Sequence, residues 1–220
     1  MRAASATLAL CGLWACGEVQ ELTDAGPAFE MGQALDMGGA LDWEPQPRTC
    51  QPYRNQPDEV VCGESDEQLT FGLGDESRLD SCTRFRGSIH IPDATREEDL
   101  ALLSGLRRID GRLTIFRNHA LADLSVLSKL ESVGGLLSID NDDSNGRFTS
   151  LHGLESLCEL GALNLSDNRW LRDIAALSKL EVIHDFMTVT GNRSLPTAAI
   201  EVIARQVDVR GETTIEGNSG

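Results

Sequence analysis

Asn141-Asp142-Asp143-Ser144-Asn145-Gly146 has residue types and spacing that could hold a cation. Asn141, Asp143 and Asn145 offer oxygens at alternate positions and Gly146 permits a sharp turn, as in the opening of an EF-hand loop. The twelfth position is His152 rather than the bidentate Glu that closes such a loop, so the segment reads as a polar insertion turn. His90, His119, His152 and His184 fall at different positions of different repeats, without metal-ligand spacing and without an evident nucleophile nearby. Carboxylates are plentiful but scattered, whereas glycoside hydrolysis needs two at a defined separation in one cleft. There is no C-x-x-C pair, G-x-S-x-G elbow, Walker loop or dinucleotide fingerprint. These residues predict a protein that is not an enzyme and holds neither metal nor cofactor.

Cys16 is different. Arg2 is a minimal positive region, the run from Ala3 to Trp14 is short and apolar, and Leu13-Trp14-Ala15-Cys16-Gly17 ends it. That run is shorter than the roughly 20 residues a membrane span needs and suits a secretory signal. A small residue followed by Cys at the cleavage point is similar to a bacterial lipobox, in which the cysteine is lipidated and becomes the first residue of the mature chain. Trp14 departs from the small or aliphatic residue usual there, and an ordinary signal cleaved nearby is the alternative. Gly17, rather than Asp, after the cysteine is similar to lipoproteins sent on to the outer membrane. Residues 1–16 are thus read as signal peptide. Residues 17–48 are acidic, rich in Gly, Ala and Met, and without sustained period. They cannot bury enough apolar surface to offset ordering entropy and read as a flexible tether. The whole chain has a formal net charge of −16, which opposes nucleic-acid binding and electrostatic attraction to anionic membranes. Membrane association is expected through the N-terminal lipid.

The elements come from a repeat. Leu127-Ser128-Lys129-Leu130-Glu131 recurs unchanged as Leu177-Ser178-Lys179-Leu180-Glu181. Ahead of each copy lies a Gly-x-apolar-x-apolar block, and six such blocks start at Gly87, Gly111, Gly135, Gly161, Asp185 and Gly211. Intervals of 24, 24, 26, 24 and 26 residues imply a stacked solenoid whose neighbours share one core. Within the blocks, Ile89/Ile91, Leu113/Ile115, Leu137/Ile139, Leu163/Leu165, Met187/Val189 and, more weakly, Thr213/Ile215 alternate as the inward side of short strands. Seven residues after the block starts come Asn118, Asp142, Asn168, Asn192 and Asn218, with Ala94 in the first block. Their side chains are placed to bond backbone on the neighbouring coil. The three-residue spacing of Leu121, Leu124, Leu127, Leu130 and Val133, and of Leu171, Ile174, Leu177, Leu180 and Ile183, fits a helical or 3₁₀ arm. The fold class expected is an α/β repeat: a right-handed parallel β-solenoid with short helical or 3₁₀ arms, of about six coils over residues 87–220.

Between each inward pair lies an outward residue: His90, Thr114, Ser138, Asn164, Thr188 and Thr214. Arg112, Leu136 and Phe186 flank that column on one side, with Phe116, Asp140 and Ser166 on the other. Small polar groups keep such a face accessible, and aromatics offer a sugar a stacking surface or a protein an apolar anchor. This face is the candidate ligand surface, set against a solvated sheet whose threonines reflect strand propensity alone.

Val61-Cys62-Gly63 leads to Leu79-Asp80-Ser81-Cys82-Thr83-Arg84-Phe85-Arg86-Gly87-Ser88-Ile89-His90-Ile91. A cysteine, a loop, a second cysteine and then a Gly-x-apolar-x-apolar strand, followed by Leu-x-x-Leu and Asn repeats, resembles the receptor L domain, a leucine-rich-repeat-like module. The resemblance runs from about Val61 to Gly220 and implies a non-catalytic binding or structural module, preceded by an N-terminal cap at residues 49–86. Receptor signalling is not implied, since these residues carry no second such domain, membrane helix or kinase. The alternatives are an envelope enzyme acting on polysaccharide and a purely architectural surface protein; the ligand expected is an unidentified protein or glycan. Export implies an oxidising compartment, in which Cys50, Cys62, Cys82 and Cys158 allow three connectivities. The resemblance implies Cys62–Cys82. A Cys82–Cys158 bridge would cross about three inter-strand steps, on the order of 14 Å, against the roughly 7 Å a disulfide spans. Cys158 is left either to meet Cys50, if the N-terminal arm folds along the coils, or to stay a buried thiol. Lipidation of Cys16 predicts that Cys16→Ser blocks maturation or releases the protein. An unmodified Cys16 in the mature chain, seen by mass spectrometry, would sink that assignment.

Overall fold

The structure, a computed structural model, describes residues 50, 56–74, 76–92, 100–117, 121–140 and 148–220. The signal peptide with Cys16, the tether at 17–48, Ala94, Asn118, His119 and the 141–146 segment with Asp142 lie outside the described residues.

Short strands form because each block has only four or five residues of period-two alternation before a turn interrupts it. They are β1 (Val61–Cys62), β2 (Gln68–Thr70), β3 (Arg84–Phe85), β4 (Ser88–Ile91), β5 (Arg108–Ile109) and β6 (Leu113–Phe116). Then come β7 (Ser132–Asp140), β8 (Glu159–Ser166), β9 (Val182–Ile183), β10 (Met187–Thr190), β11 (Asp208–Val209) and β12 (Thr213–Glu216). All pair in parallel within one sheet. The pairings fall into two columns. The main column runs β2-β4-β6-β7-β8-β10-β12, and a second runs β1-β3-β5-β7-β8-β9-β11. The longer β7 and β8 pass through both columns. The main column has one strand more than the six sequence blocks: β2, whose Leu69 pairs with Ile89. Its strand reads Gln-Leu-Thr, with one apolar residue and no leading glycine, so the block pattern does not find it.

Inward residues of both columns make one core. Ile89, Ile91, Leu113, Ile115, Leu137, Ile139, Leu163, Leu165, Met187 and Val189 are all buried, as are Phe85, Ile109, Val133, Leu160 and Ile183. The arms close it. The Leu-x-x-Leu spacing gives 3₁₀ helices at Ala101–Gly105, Ser125–Leu127 and Ala175–Lys179, where i and i+3 share one side. The last arm is the α-helix α1 (Thr197–Gln206), started by Pro196 and burying Ile200 and Ile203. A mostly parallel sheet with short helices in repeating order is compatible with a solenoid-like α/β fold.

The glycine opening each block has a steric cause. A Cβ at Gly111 would lie 2.5 Å from the carbonyl oxygen of Gly87, and one at Gly161 would lie 2.3 Å from that of Gly134. At these corners the backbones stack more closely than a side chain allows, whereas the fifth block opens with Asp185.

At the other end of the main strands, side-chain amides stack. Asn168 and Asn192 are buried. Asn168 Nδ2 donates to Ile139 O at 2.9 Å, and Asn192 Nδ2 donates to Leu165 O at 2.9 Å. Asn168 N donates to Asn192 Oδ1 at 3.0 Å, and Asn192 N to Asn218 Oδ1 at 3.1 Å. Each amide thus satisfies backbone on its own and the preceding rung and meets the next amide on the following one.

Both disulfides form within this frame. Cys62 and Cys82 join at a Cα separation of 6.0 Å, tying β1 to the turn before β3. Cys50 joins Cys158 at 5.6 Å, and its N–H donates to Glu181 Oε1 at 2.7 Å. Of the two outcomes left open for Cys158, the bridge to Cys50 is realised. The N-terminal arm thereby reaches the middle rungs of the second column.

Asn192→Ala should cost about 2 kcal/mol, because it leaves the buried Asn168 N–H without an acceptor and removes one bond to the Leu165 carbonyl. Urea unfolding monitored by circular dichroism measures it. A loss under about 1 kcal/mol would show that water replaces the amide.

Candidate functional site

Register places the outward residues in rows across the main column. His90 pairs with Thr114, Thr114 with Ser138, Ser138 with Asn164, Asn164 with Thr188 and Thr188 with Thr214. The middle row is therefore continuous from His90 to Thr214. Asn164 Nδ2 donates to Ser138 Oγ at 3.1 Å, and Ser166 Oγ donates to Asn164 Oδ1 at 2.6 Å, fixing the amide flat on the sheet. On one flank Phe116 pairs with Asp140, and the Arg117 guanidinium carbon lies 5.0 Å from the Phe116 ring centre. Arg112, Leu136 and Phe186 lie on the other flank, each one residue before an inward position. Arg112 and Arg117 are exposed and the others are half-buried, as expected of groups side by side on a sheet.

The second flank holds a residue that the sequence reading passed over. Ala162 pairs with Leu136 and precedes the Leu163–Met187 pair, so it stands between Leu136 and Phe186. Two strand steps, about 10 Å, separate those larger side chains, and the methyl of Ala162 leaves a slot between them. With Gly134, Gly135 and Gly161 beside it, the slot becomes a groove of about 430 Å³ ending at Arg112 and at His184 and Asp185. The double glycine accompanies a bulge: two residues lie between Val133 and Leu136 on β7, but one between Leu160 and Ala162 on β8. Aligning Gly135-Leu136-Leu137 with Gly161-Ala162-Leu163 shows the missing side chain in the sequence alone. The bulge carries no such signal beyond an extra glycine.

A second hollow, of about 310 Å³, lies over the first strands and is lined by Gln68, Ser88, Ile89, His90, Arg112 and Thr114. Gln68 and Ser88 belong to the row of Arg112, because Gln68 pairs with Ser88 and Arg112 N donates to Ser88 Oγ at 3.0 Å. Gln68 could not be found from the six blocks, since β2 is not one of them.

The remaining histidines with described positions carry partners. His184 Nε2 lies 2.7 Å from Glu159 Oε1, and its Nδ1 lies 3.1 Å from an Arg210 nitrogen. His152 Nδ1 lies 2.8 Å from Glu155 Oε1. Backbone N–H donation from Gly153 and the His152 contact outweigh desolvation and hold the Glu155 carboxyl below its usual range. Among the described residues, no three His, Cys, Asp or Glu side chains gather as metal ligands.

Asp110 anchors the corner beneath Arg112. Burial pushes its pKa up, but hydrogen bonds from Arg84 and Arg108 outweigh this and hold the carboxyl below the usual carboxylate range. Arg84 is shifted up in turn, first by its hydrogen bond to Asp110.

Residues 81–144, less than a third of the chain, match the family model of the receptor L domain. No curated protein matches the chain. The matched stretch begins beside Cys82 and takes in the first three glycine blocks, and its likeness suggests a non-catalytic binding module. The two disulfides suggest an extracellular or exported protein. Among the described residues, no helix is long and apolar enough to cross a membrane.

Because the folded pKa of Asp110 is depressed, its contribution is full above its unfolded value of about 3.9 and is lost as pH falls through the lower folded value. Asp110→Asn should therefore destabilise at pH 7, on the order of 1 kcal/mol after solvent screening. That difference from the parent should shrink in strong acid, as read from urea midpoints at neutral pH and below pH 3. An equal difference at both would overturn the ion-pair account.

Proposed function

We propose that this is a lipid-anchored envelope protein whose receptor-L-domain-like module, a right-handed parallel solenoid, binds a protein or glycan through the outward face of its main strand column. Cys16 carries the lipid, residues 17–48 form the tether, residues 49–86 cap the module and residues 87–220 build its coils. The outer membrane is the site of anchoring, and nucleic acid is no partner.

One observation carries the choice of face. The two columns differ in what lies on their outward sides. On the second column, Ser132 and Val182 point outward by alternation yet are buried. There Cys50 is pinned between Cys158 and Glu181, the residues preceding Glu159 and Val182. On the main column the outward rows bear two hollows, one polar and one apolar, joined at Arg112. Continuous surfaces of this kind are what repeat proteins use for binding. The polar hollow is lined by no carboxylate and the apolar groove by one, Asp185, so neither presents the pair that polysaccharide hydrolysis needs.

The full chain should capture a ligand from envelope extracts. Phe116→Ala and Phe186→Ala should each weaken that capture at least about tenfold, the scale of an interface anchor, while leaving the unfolding midpoint in place. If both variants bind normally while substitutions at the exposed arm positions Ser125 and Ala175 abolish capture, the sheet face is the wrong surface.

A further inference from the structure

Arg112 is the arginine at which the two hollows of the main face meet. Arg78, Arg84, Arg107, Arg108, Arg205 and Arg210 each reach a carboxylate. The Arg112 guanidinium, like those of Arg86, Arg117, Arg169, Arg172 and Arg193, has no ion-pair partner among the described residues, although the chain carries a net charge of −16. Its position is nevertheless set. A Cβ at Gly135 would come within 3.1 Å of Arg112 Cγ, so the stem lies across a site kept clear by glycine. Its backbone N–H occupies a lone pair of Ser88 Oγ, which leaves the Ser88 hydroxyl proton to be donated elsewhere. Gln68, His90 and Thr114 complete a hydrogen-bonding wall around it. An exposed guanidinium with no ion-pair partner, its stem held in place beside side-chain donors and acceptors, suits one carboxylate held by two parallel N–H bonds.

The main chain decides what bears that carboxylate. The backbone groups of β4, β6, β7 and β8 are taken up by sheet pairing on both sides. An extended peptide laid on this face would find no edge against which to pair its own N–H and C=O groups. A saccharide presents hydroxyls instead, and the face meets them with side chains alone: Gln68, Ser88 and Thr114 at the polar end, then Ser138 and Asn164. Phe186, three strand steps from Arg112, offers a ring for the apolar side of a sugar. A densely charged polymer is disfavoured by the acidity of the whole chain.

The geometry points to an acidic oligosaccharide with isolated carboxylates as the ligand of this face, one carboxylate seated on Arg112 and a sugar ring stacked on Phe186. This rests on the sheet-face reading above and adds the ligand class. It is tested on the full chain by calorimetric titration with galacturonate, alginate and hyaluronan fragments and sialyllactose, each beside its methyl ester. At least one acid should bind, and its ester should bind about tenfold or more weakly. Arg112→Gln should weaken the acid to the level of the ester while leaving the ester unchanged, and Phe186→Ala should weaken both. Binding sensitive to Phe186→Ala but not to Arg112→Gln overturns the carboxylate seat and keeps the face. Binding indifferent to both variants places the ligand elsewhere and overturns the face as well. If no member binds at millimolar concentration, if heparin binds better than the uronates, or if an acidic peptide displaces the sugar in an Arg112-dependent way, the ligand class is wrong.

Discussion

Close backbone contact at the corner between the two strand columns is the constraint on which the rest depends. At Gly87, Gly111, Gly135, Gly161 and Gly211 an added Cβ would fall within 3 Å of a carbonyl oxygen on the preceding rung. Such an approach tolerates no sliding. A rung displaced by one residue would drive the next side chain into that carbonyl and turn every inward apolar residue to solvent. The asparagine stack at the far end of the strands gives the same register a second lock, since Asn168 and Asn192 must each meet a carbonyl of the preceding rung. With both ends fixed, chemistry on the outward face becomes a matter of counting along the sequence.

The register also accounts for the distribution of charge. Arg84, Arg108 and Asp110 meet because parallel pairing sets Arg84 beside Arg108, and Asp110 follows two residues later, just before the corner glycine Gly111. Glu131, Cys158 and Glu181 share one level of the second column, where successive rungs exchange backbone hydrogen bonds. That level is where Cys50 attaches. Exposed pairs of this kind add little stability individually.

Much of this was legible in the sequence. The six blocks, five of them opened by glycine, marked the six strands from β4 to β12 of the main column, with their inward pairs, because glycine, alternation and asparagine recur at fixed offsets in most of them and each has one structural cause. The second column was not foreseen. Its strands are two residues long, too short for period two to show, and β7 and β8 reveal it only by running through the corner. β2 was hidden because Leu69 is its only apolar residue. The candidate rows were named correctly as neighbours, since outward residues follow from inward ones by parity. Ala162 was missed for the opposite reason: an absent side chain has no chemistry of its own and matters only through Leu136 and Phe186 on either side. Cys50–Cys158 could be left open but not chosen, because it depends on the path of an arm that carries no repeat.

Period-two alternation separates the tasks of the main strands. Leu113, Leu137, Leu163 and Met187 hold the core, and the residues preceding them, Arg112, Leu136, Ala162 and Phe186, are cation, aliphatic, gap and aromatic in turn. None of those four types is demanded by the fold, since each stands on the same backbone with the same inward neighbour. Strand propensity would favour β-branched residues there, as it does in the Thr114–Thr188 row. A stacked fold fills equivalent positions with equivalent residues when packing alone decides, as the near-identical Leu-x-x-Leu arms show. The row of Arg112, Leu136, Ala162 and Phe186, like that of Phe116, Asp140 and Ser166 on the other flank, is therefore not set by packing alone.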